Sequence, residues 1–135
     1  MLEKVSEKKK NIFLLKLFGW GEGMQIGKHI IAELYGVDEK LIAQQSEVEK
    51  IVWEVVRESG LHAVSSAFKQ FEPFGVAGVV LLSESHISIH TWPEYKLVNL
   101  DVFTCGDPTK ADKAFELFLQ KLKPKSHRLL SLDRG

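Results

Sequence analysis

The run Ser83-Glu84-Ser85-His86-Ile87-Ser88-Ile89-His90-Thr91-Trp92-Pro93-Glu94, closely followed by Phe103-Thr104-Cys105-Gly106-Asp107, brings hydroxyls, imidazoles, carboxylates and the only cysteine into one short stretch. Ser85 stands between a carboxylate and an imidazole. To act as a nucleophile it needs a base within hydrogen-bond reach and donors for the oxyanion. The Gly-x-Ser-x-Gly elbow of many hydrolases is missing, so an ordinary turn serine is the bland alternative. Glu84-Ser85 joins two apolar β segments, and residues flanking a hairpin turn come close; His90 is therefore expected to approach Ser85 or its α-hydrogen. His86 and His90 would suit a metal on a helix. Ile87 and Ile89 make this a strand, with both imidazoles on one face, and without a further Cys/His pair no metal is expected. Cys105 is either a small buried hydrophobe or a proton donor or nucleophile with a tuned pKa. Phe71 and Trp92 are either core aromatics or platforms for a flat ligand, and Glu94 is either a surface carboxylate or a partner for ligand hydroxyls.

The surrounding sequence supplies strands to hold these groups. A chain of 135 residues, 44% hydrophobic and 27% charged, is enough for one domain with a real core. Lys plus Arg equals Asp plus Glu at 18 each, so no global field favours nucleic acid or an anionic membrane. One cysteine excludes an internal disulfide framework and suits a reduced, cytoplasmic setting. Residues 1–25 read as an N-terminal extension: the apolar run after Lys8-Lys9-Lys10 is short and interrupted by Lys16, unlike a signal peptide or a membrane span. The domain is expected over 26–135.

Within it, 29–35 reads as a strand. Ser46-Glu47-Val48-Glu49 reads as a capping box opening a helix that Gly60 ends. Strands are expected over 63–71, over 78–82 as a buried strand, around Ile87 and Ile89, and over Val98, Leu100 and Val102. Asp107-Pro108 starts a second helix, which Pro124 stops, and 129–132 makes a last strand. Consecutive strands with short links favour antiparallel pairing, with both helices on one face. The expected fold is an α+β two-layer sandwich.

Glu84 to Glu94 and Asp101-Val102-Phe103-Thr104-Cys105-Gly106 closely resemble the prokaryotic S-adenosylmethionine decarboxylase proenzymes. Gly27-Lys28-His29, Ala32-Glu33 and Phe71-x-Pro73-x-Gly75-x-x-Gly78-Val79-Val80 extend the resemblance over roughly 26–135. It implies self-cleavage between Glu84 and Ser85 into a β chain, 1–84, and an α chain, 85–135. Ser85 would become a covalent pyruvoyl cofactor that forms a Schiff base with the substrate amine, with no metal involved. It further implies His90 as the processing base, Cys105 as the proton donor, Phe71 stacking on adenine and Glu94 on the ribose hydroxyls. The substrate would be S-adenosylmethionine, the product an aminopropyl donor for spermidine, and the assembly a homodimer with sites near the subunit boundary.

Two departures stand out. Ala77 occupies a position where the family usually has Ser or Thr, and Lys96-Leu97-Val98-Asn99 replaces a run of the type Gly-Tyr-Ala-Ala. The second either reshapes the pocket or repacks its back face. A pyruvoyl-dependent arginine or ornithine decarboxylase, and an uncleaved non-catalytic homologue, are the alternatives.

Overall fold

The computed structural model describes residues 26–135; the expected extension over 1–25 lies outside the described residues. The elements run β1 (Gly27–Tyr35), α1 (Glu39–Ile42), α2 (Gln45–Glu58), β2 (Ala63–Gln70), β3 (Val76–Leu82), β4 (Ser85–Trp92), a 3-10 turn (Pro93–Tyr95), β5 (Leu97–Cys105), α3 (Thr109–Leu122) and β6 (Ser126–Arg134). The strands form one sheet ordered β2-β3-β4-β5-β1-β6, and every neighbouring pair is antiparallel.

One face of this sheet is dry. Ile30, Ala32 and Leu34 of β1, Ile87 and Ile89 of β4, and Val98, Leu100 and Val102 of β5 are buried there. They meet the apolar stripes of the two long helices, Val48, Val52 and Val55 on α2 and Ala114, Phe115 and Phe118 on α3. Lys121 of α3 pairs with Glu54 at 3.0 Å and Glu58 at 2.7 Å, tying the helices together at the surface. The α+β sandwich read from the sequence is the observed fold.

Among the described residues, no helix packs on the opposite face. The alternate residues of β3, β4 and β6 emerge here, leaving Val79 43%, Leu81 50%, Trp92 43% and Leu130 52% exposed. This corrects the reading of 78–82 as a buried strand: apolar residues on both sides of β3 fill the core on one face only.

Helix ends differ in an instructive way. Asp107 caps α3 as its sequence suggests, its Oδ1 accepting from the Thr109 backbone N–H at 2.9 Å. The capping box is not formed, because Ser46 lies inside α2 and the N-cap, Gln44, makes no side-chain capping bond. Gln70, at the end of β2, takes over: its Oε1 accepts from the Gln45 N–H at 2.6 Å. Its amide nitrogen donates to the carbonyls of Ala43, Phe71 and Gly75 at 3.0–3.1 Å. A free helix N–H is thus satisfied from across the fold rather than locally, and the loop bearing Phe71 is anchored by the same side chain. Gly78 has a packing reason: a Cβ there would lie 2.4 Å from the Phe68 ring, which covers the glycine.

Gln70→Ala removes four hydrogen bonds around one partly buried group. It should lower stability by about 1–3 kcal/mol, read as a reduced urea midpoint with an unchanged slope.

Candidate active site

The β3–β4 connection is only two residues, Ser83 and Glu84, since Leu82 pairs with Ser85. It contains no glycine, and the unfavourable backbone geometry falls on Ser85, whose φ is +150°. Such a conformation in a residue with a side chain persists only when its surroundings enforce it, and it gathers at functional sites. Two contacts from the end of β5 do so here. The Cys105 N–H donates to the Glu84 carbonyl at 2.6 Å, and the Cys105 Sγ lies 3.1 Å from the Ser85 Oγ. Opposite Ser85 in the β4–β5 register is Thr104, fully buried and, among the described residues, with no hydrogen-bond partner for its Oγ1.

The Glu84 side chain is also held. Its Oε1 accepts from the His62 backbone N–H at 3.0 Å and its Oε2 faces the His62 Nδ1 at 2.8 Å, with the Lys110 Nζ at 3.8 Å. Burial favours the neutral acid, but the hydrogen bonds from His62 outweigh it and lower the Glu84 pKa. An ionised carboxylate only accepts, so the proton belongs on the His62 Nδ1.

A second group of candidates sits at the other end of β4. A cleft of about 270 Å³ is lined by Phe71, Phe74, Gly75, Val76, His90, Thr91, Trp92 and Glu94. Phe71 and Trp92 are 48% and 43% exposed, so neither is a core aromatic. A carboxylate beside two accessible ring faces suits a flat ligand with hydroxyl groups.

The two groups do not meet within one chain. Ser85 pairs with Leu82 and His90 with Ala77. The five residue steps from Ser85 to His90 span about 16 Å of extended strand. The expected approach of His90 to Ser85 across the hairpin is therefore absent: both residues lie on β4, and hairpin proximity joins residues on different strands at equal distances from the turn. Ala77, where the family usually carries a hydroxyl, stands beside His90 and not beside Ser85.

His86 shares the open face with His90, as the even spacing predicts. It joins an aromatic cluster with His29 and Phe103, with ring centroids 5.4–6.1 Å apart. Arg134 stacks over Phe103 at 4.7 Å. Asp101 accepts from Ser88 at 3.3 Å and contacts the His29 Nε2 at 2.8 Å. Sequence reasoning missed His62, His29, Asp101 and Arg134 as members of these networks. The alternation of β5 already put Asp101 on the open face, whereas His62 and Arg134 are distant in sequence from their partners. Among the described residues no group of three or more His, Cys, Asp and Glu side chains is arranged to hold a metal ion, and no helix is long and apolar enough to cross a membrane.

The departure at 96–99 divides between the two faces. Val98 is fully buried against the helices, while the Asn99 Oδ1 accepts from the Trp92 Nε1 at 2.7 Å and orients a wall of the cleft.

The chain as a whole matches one family. The family model described as S-adenosylmethionine decarboxylase matches residues 28–135. The chain belongs to the S-adenosylmethionine decarboxylase family, a group of carboxy-lyases. It is 62% identical to the S-adenosylmethionine decarboxylase proenzyme of Archaeoglobus fulgidus over 112 residues, covering 83% of this chain and all of that one. The proenzyme of Picrophilus torridus is 47% identical over 110 residues, 82% of this chain and 85% of its own. The crystal structure of the Aquifex aeolicus adenosylmethionine decarboxylase superposes with a TM-score of 0.82 at 43% identity, covering 84% of this chain and 93% of that one.

Asn99→Ala should leave the fold intact and free the Trp92 ring. The expected result is a KM for S-adenosylmethionine raised about 3- to 10-fold, the scale of one lost neutral hydrogen bond, with kcat nearly unchanged in steady-state assays.

Proposed function

We propose that this chain is a proenzyme that cuts itself between Glu84 and Ser85 and then decarboxylates S-adenosylmethionine, supplying the aminopropyl donor for spermidine. The observation that carries the reading is the contact set at the hairpin: a serine with a strained φ, its hydroxyl 3.1 Å from a thiol, next to a carbonyl already accepting a backbone N–H at 2.6 Å. Attack of the Ser85 Oγ on the Glu84 carbonyl carbon places negative charge on the oxygen that the Cys105 N–H holds. The C–N bond then breaks, leaving an ester and a free Ser85 amine. Removal of the Ser85 α-hydrogen expels the Glu84 carboxylate from Cβ. Tautomerisation and hydrolysis release ammonia and leave a ketone at the new N-terminus.

The residues present suit a pyruvoyl group at position 85, since a half-buried thiol stands against the position and, among the described residues, no other side chain is hydrogen-bonded to the Ser85 hydroxyl. When formed, that ketone supplies an electron sink for loss of carbon dioxide from an amino acid. In this reading Cys105, whose Sγ lies 3.1 Å from the Ser85 Oγ, returns a proton to the substrate α-carbon. Phe71 and Trp92 offer faces for adenine and its neighbouring sulfonium, and Glu94 an acceptor for the ribose hydroxyls. This cleft favours a nucleoside over arginine or ornithine as substrate, since aromatic walls with one carboxylate answer adenine and ribose better than a bare distal cation. Retention of Ser85, His90 and Cys105 speaks for an enzyme rather than an uncleaved binding homologue.

The working unit in this reading is a homodimer. The cleavage hairpin and the substrate cleft lie at opposite ends of β4, and the open face between them carries exposed Val79 and Leu81. Two copies packed by these faces about a two-fold axis would bring the cleft and His90 of one to the hairpin of the other. An isologous contact of this kind is self-complementary.

Ser85→Ala should remain a single polypeptide, whereas intact mass of the unaltered protein should show two chains with a blocked N-terminus on the smaller. Cys105→Ala should still cleave but lose turnover by about 10²–10⁴-fold; full turnover would return Cys105 to the role of a buried thiol. Co-expression of His90→Ala with Ser85→Ala tests the dimer: the His90→Ala chain, uncleaved alone, should be cut when the partner supplies its histidine. No rescue would place the base within the same chain.

A further inference from the structure

His62 has no part in the chemistry described so far, yet it touches both residues of the cleavage turn. The C-terminal stop of α2 at Gly60, with φ +75°, directs the chain back to the sheet edge. Leu61 is buried there and His62 is presented beside the hairpin, its side chain 72% exposed. Its carbonyl accepts from the Ser83 N–H at 2.9 Å. Its own N–H and its Nδ1 contact the two oxygens of the Glu84 carboxylate at 3.0 and 2.8 Å. On the far side of the same residue, the Cys105 N–H holds the Glu84 carbonyl at 2.6 Å.

We infer that His62 is a positioning residue for self-cleavage. Resting on the reading of Glu84–Ser85 as the scissile bond, it gives the carboxylate of Glu84 a task. The acyl shift requires the carbonyl carbon to face the Ser85 hydroxyl along a narrow approach. A two-residue turn pinned only at its carbonyl can still rotate about the Glu84 backbone. With the side chain fixed by a bidentate contact on one flank and the carbonyl fixed on the other, the carbonyl plane is set. The clamp outlasts the cut: the released Glu84 then carries two carboxylates at a chain end, and the imidazole with Lys110, 3.8 Å from the side-chain carboxylate, keeps that end beside the site.

The test compares His62→Asn with His62→Leu. The two replacements are nearly equal in size and differ in whether they retain a donor near the position of Nδ1. Cell-free synthesis followed by a time course of the intact chain gives the cleavage rate, and decarboxylation by the fully cut material gives turnover. His62→Leu should cleave about 10- to 100-fold more slowly than the unaltered chain. His62→Asn should recover most of the rate, and both should match the unaltered enzyme in turnover and in urea midpoint. Equal cleavage rates for the Asn and Leu variants would overturn the inference while leaving the cleavage reading intact. An unaltered chain that is never cut at Glu84–Ser85 would overturn both. A turnover loss that parallels the cleavage loss would assign His62 a general structural role instead.

Discussion

Antiparallel pairing of β4 with β5 is the constraint from which the rest of the site follows. With Ser85 opposite Thr104 and Trp92 opposite Leu97, the end of β5 delivers both a thiol and a backbone N–H to the hairpin. A slip by one residue would turn every side chain of β4 to the other face, putting Ile87 and Ile89 in water and His86 and His90 in the core. The apolar alternation that fills the core therefore also fixes the reactive contacts, and the energy that holds them is ordinary hydrophobic burial.

Within that frame the two faces of the sheet have separate tasks. The helix side is almost wholly apolar, with Thr104 as a fully buried hydroxyl among its residues. The open side mixes exposed aliphatics with His29, His86, Asp101 and Arg134, a composition closer to an interface or ligand surface than to a solvated one. The same division accounts for the departures from the family pattern: Val98 follows the core, and Asn99 follows the cleft.

The fold was legible because its signals are local and periodic. Alternation at 85–92 and 97–105, helical stripes on α2 and α3, and the Asp107 cap all operate within a few residues. What escaped depends on distant partners. Gln70 displaces the local capping box because an acceptor from β2 already serves the Gln45 N–H. The four-residue α1 buries only Ile42 and carries too short a pattern to be seen. β6 extends to Ser126–Arg134, beyond the expected 129–132, through pairing along the whole of β1. The family resemblance offered a set of candidate site residues, but not their geometry. Sequence proximity suggested that Ser85 and His90 meet, whereas a straight strand keeps them apart.

The strand order has a bearing on how such a protein can be made. Residues before the hairpin supply β1, β2 and β3; those after it supply β4, β5 and β6; and β1 lies between β5 and β6. Cut at Glu84–Ser85, the molecule becomes two interleaved peptides, neither of which contains a complete sheet. Folding of the uncut chain is a unimolecular event, but reassembly of the cut one is a second-order encounter between two sticky fragments. In a chain cut there, continuity of the backbone would act as an internal template used once, and the mature molecule would persist by the slowness of its unfolding more than by any capacity to return.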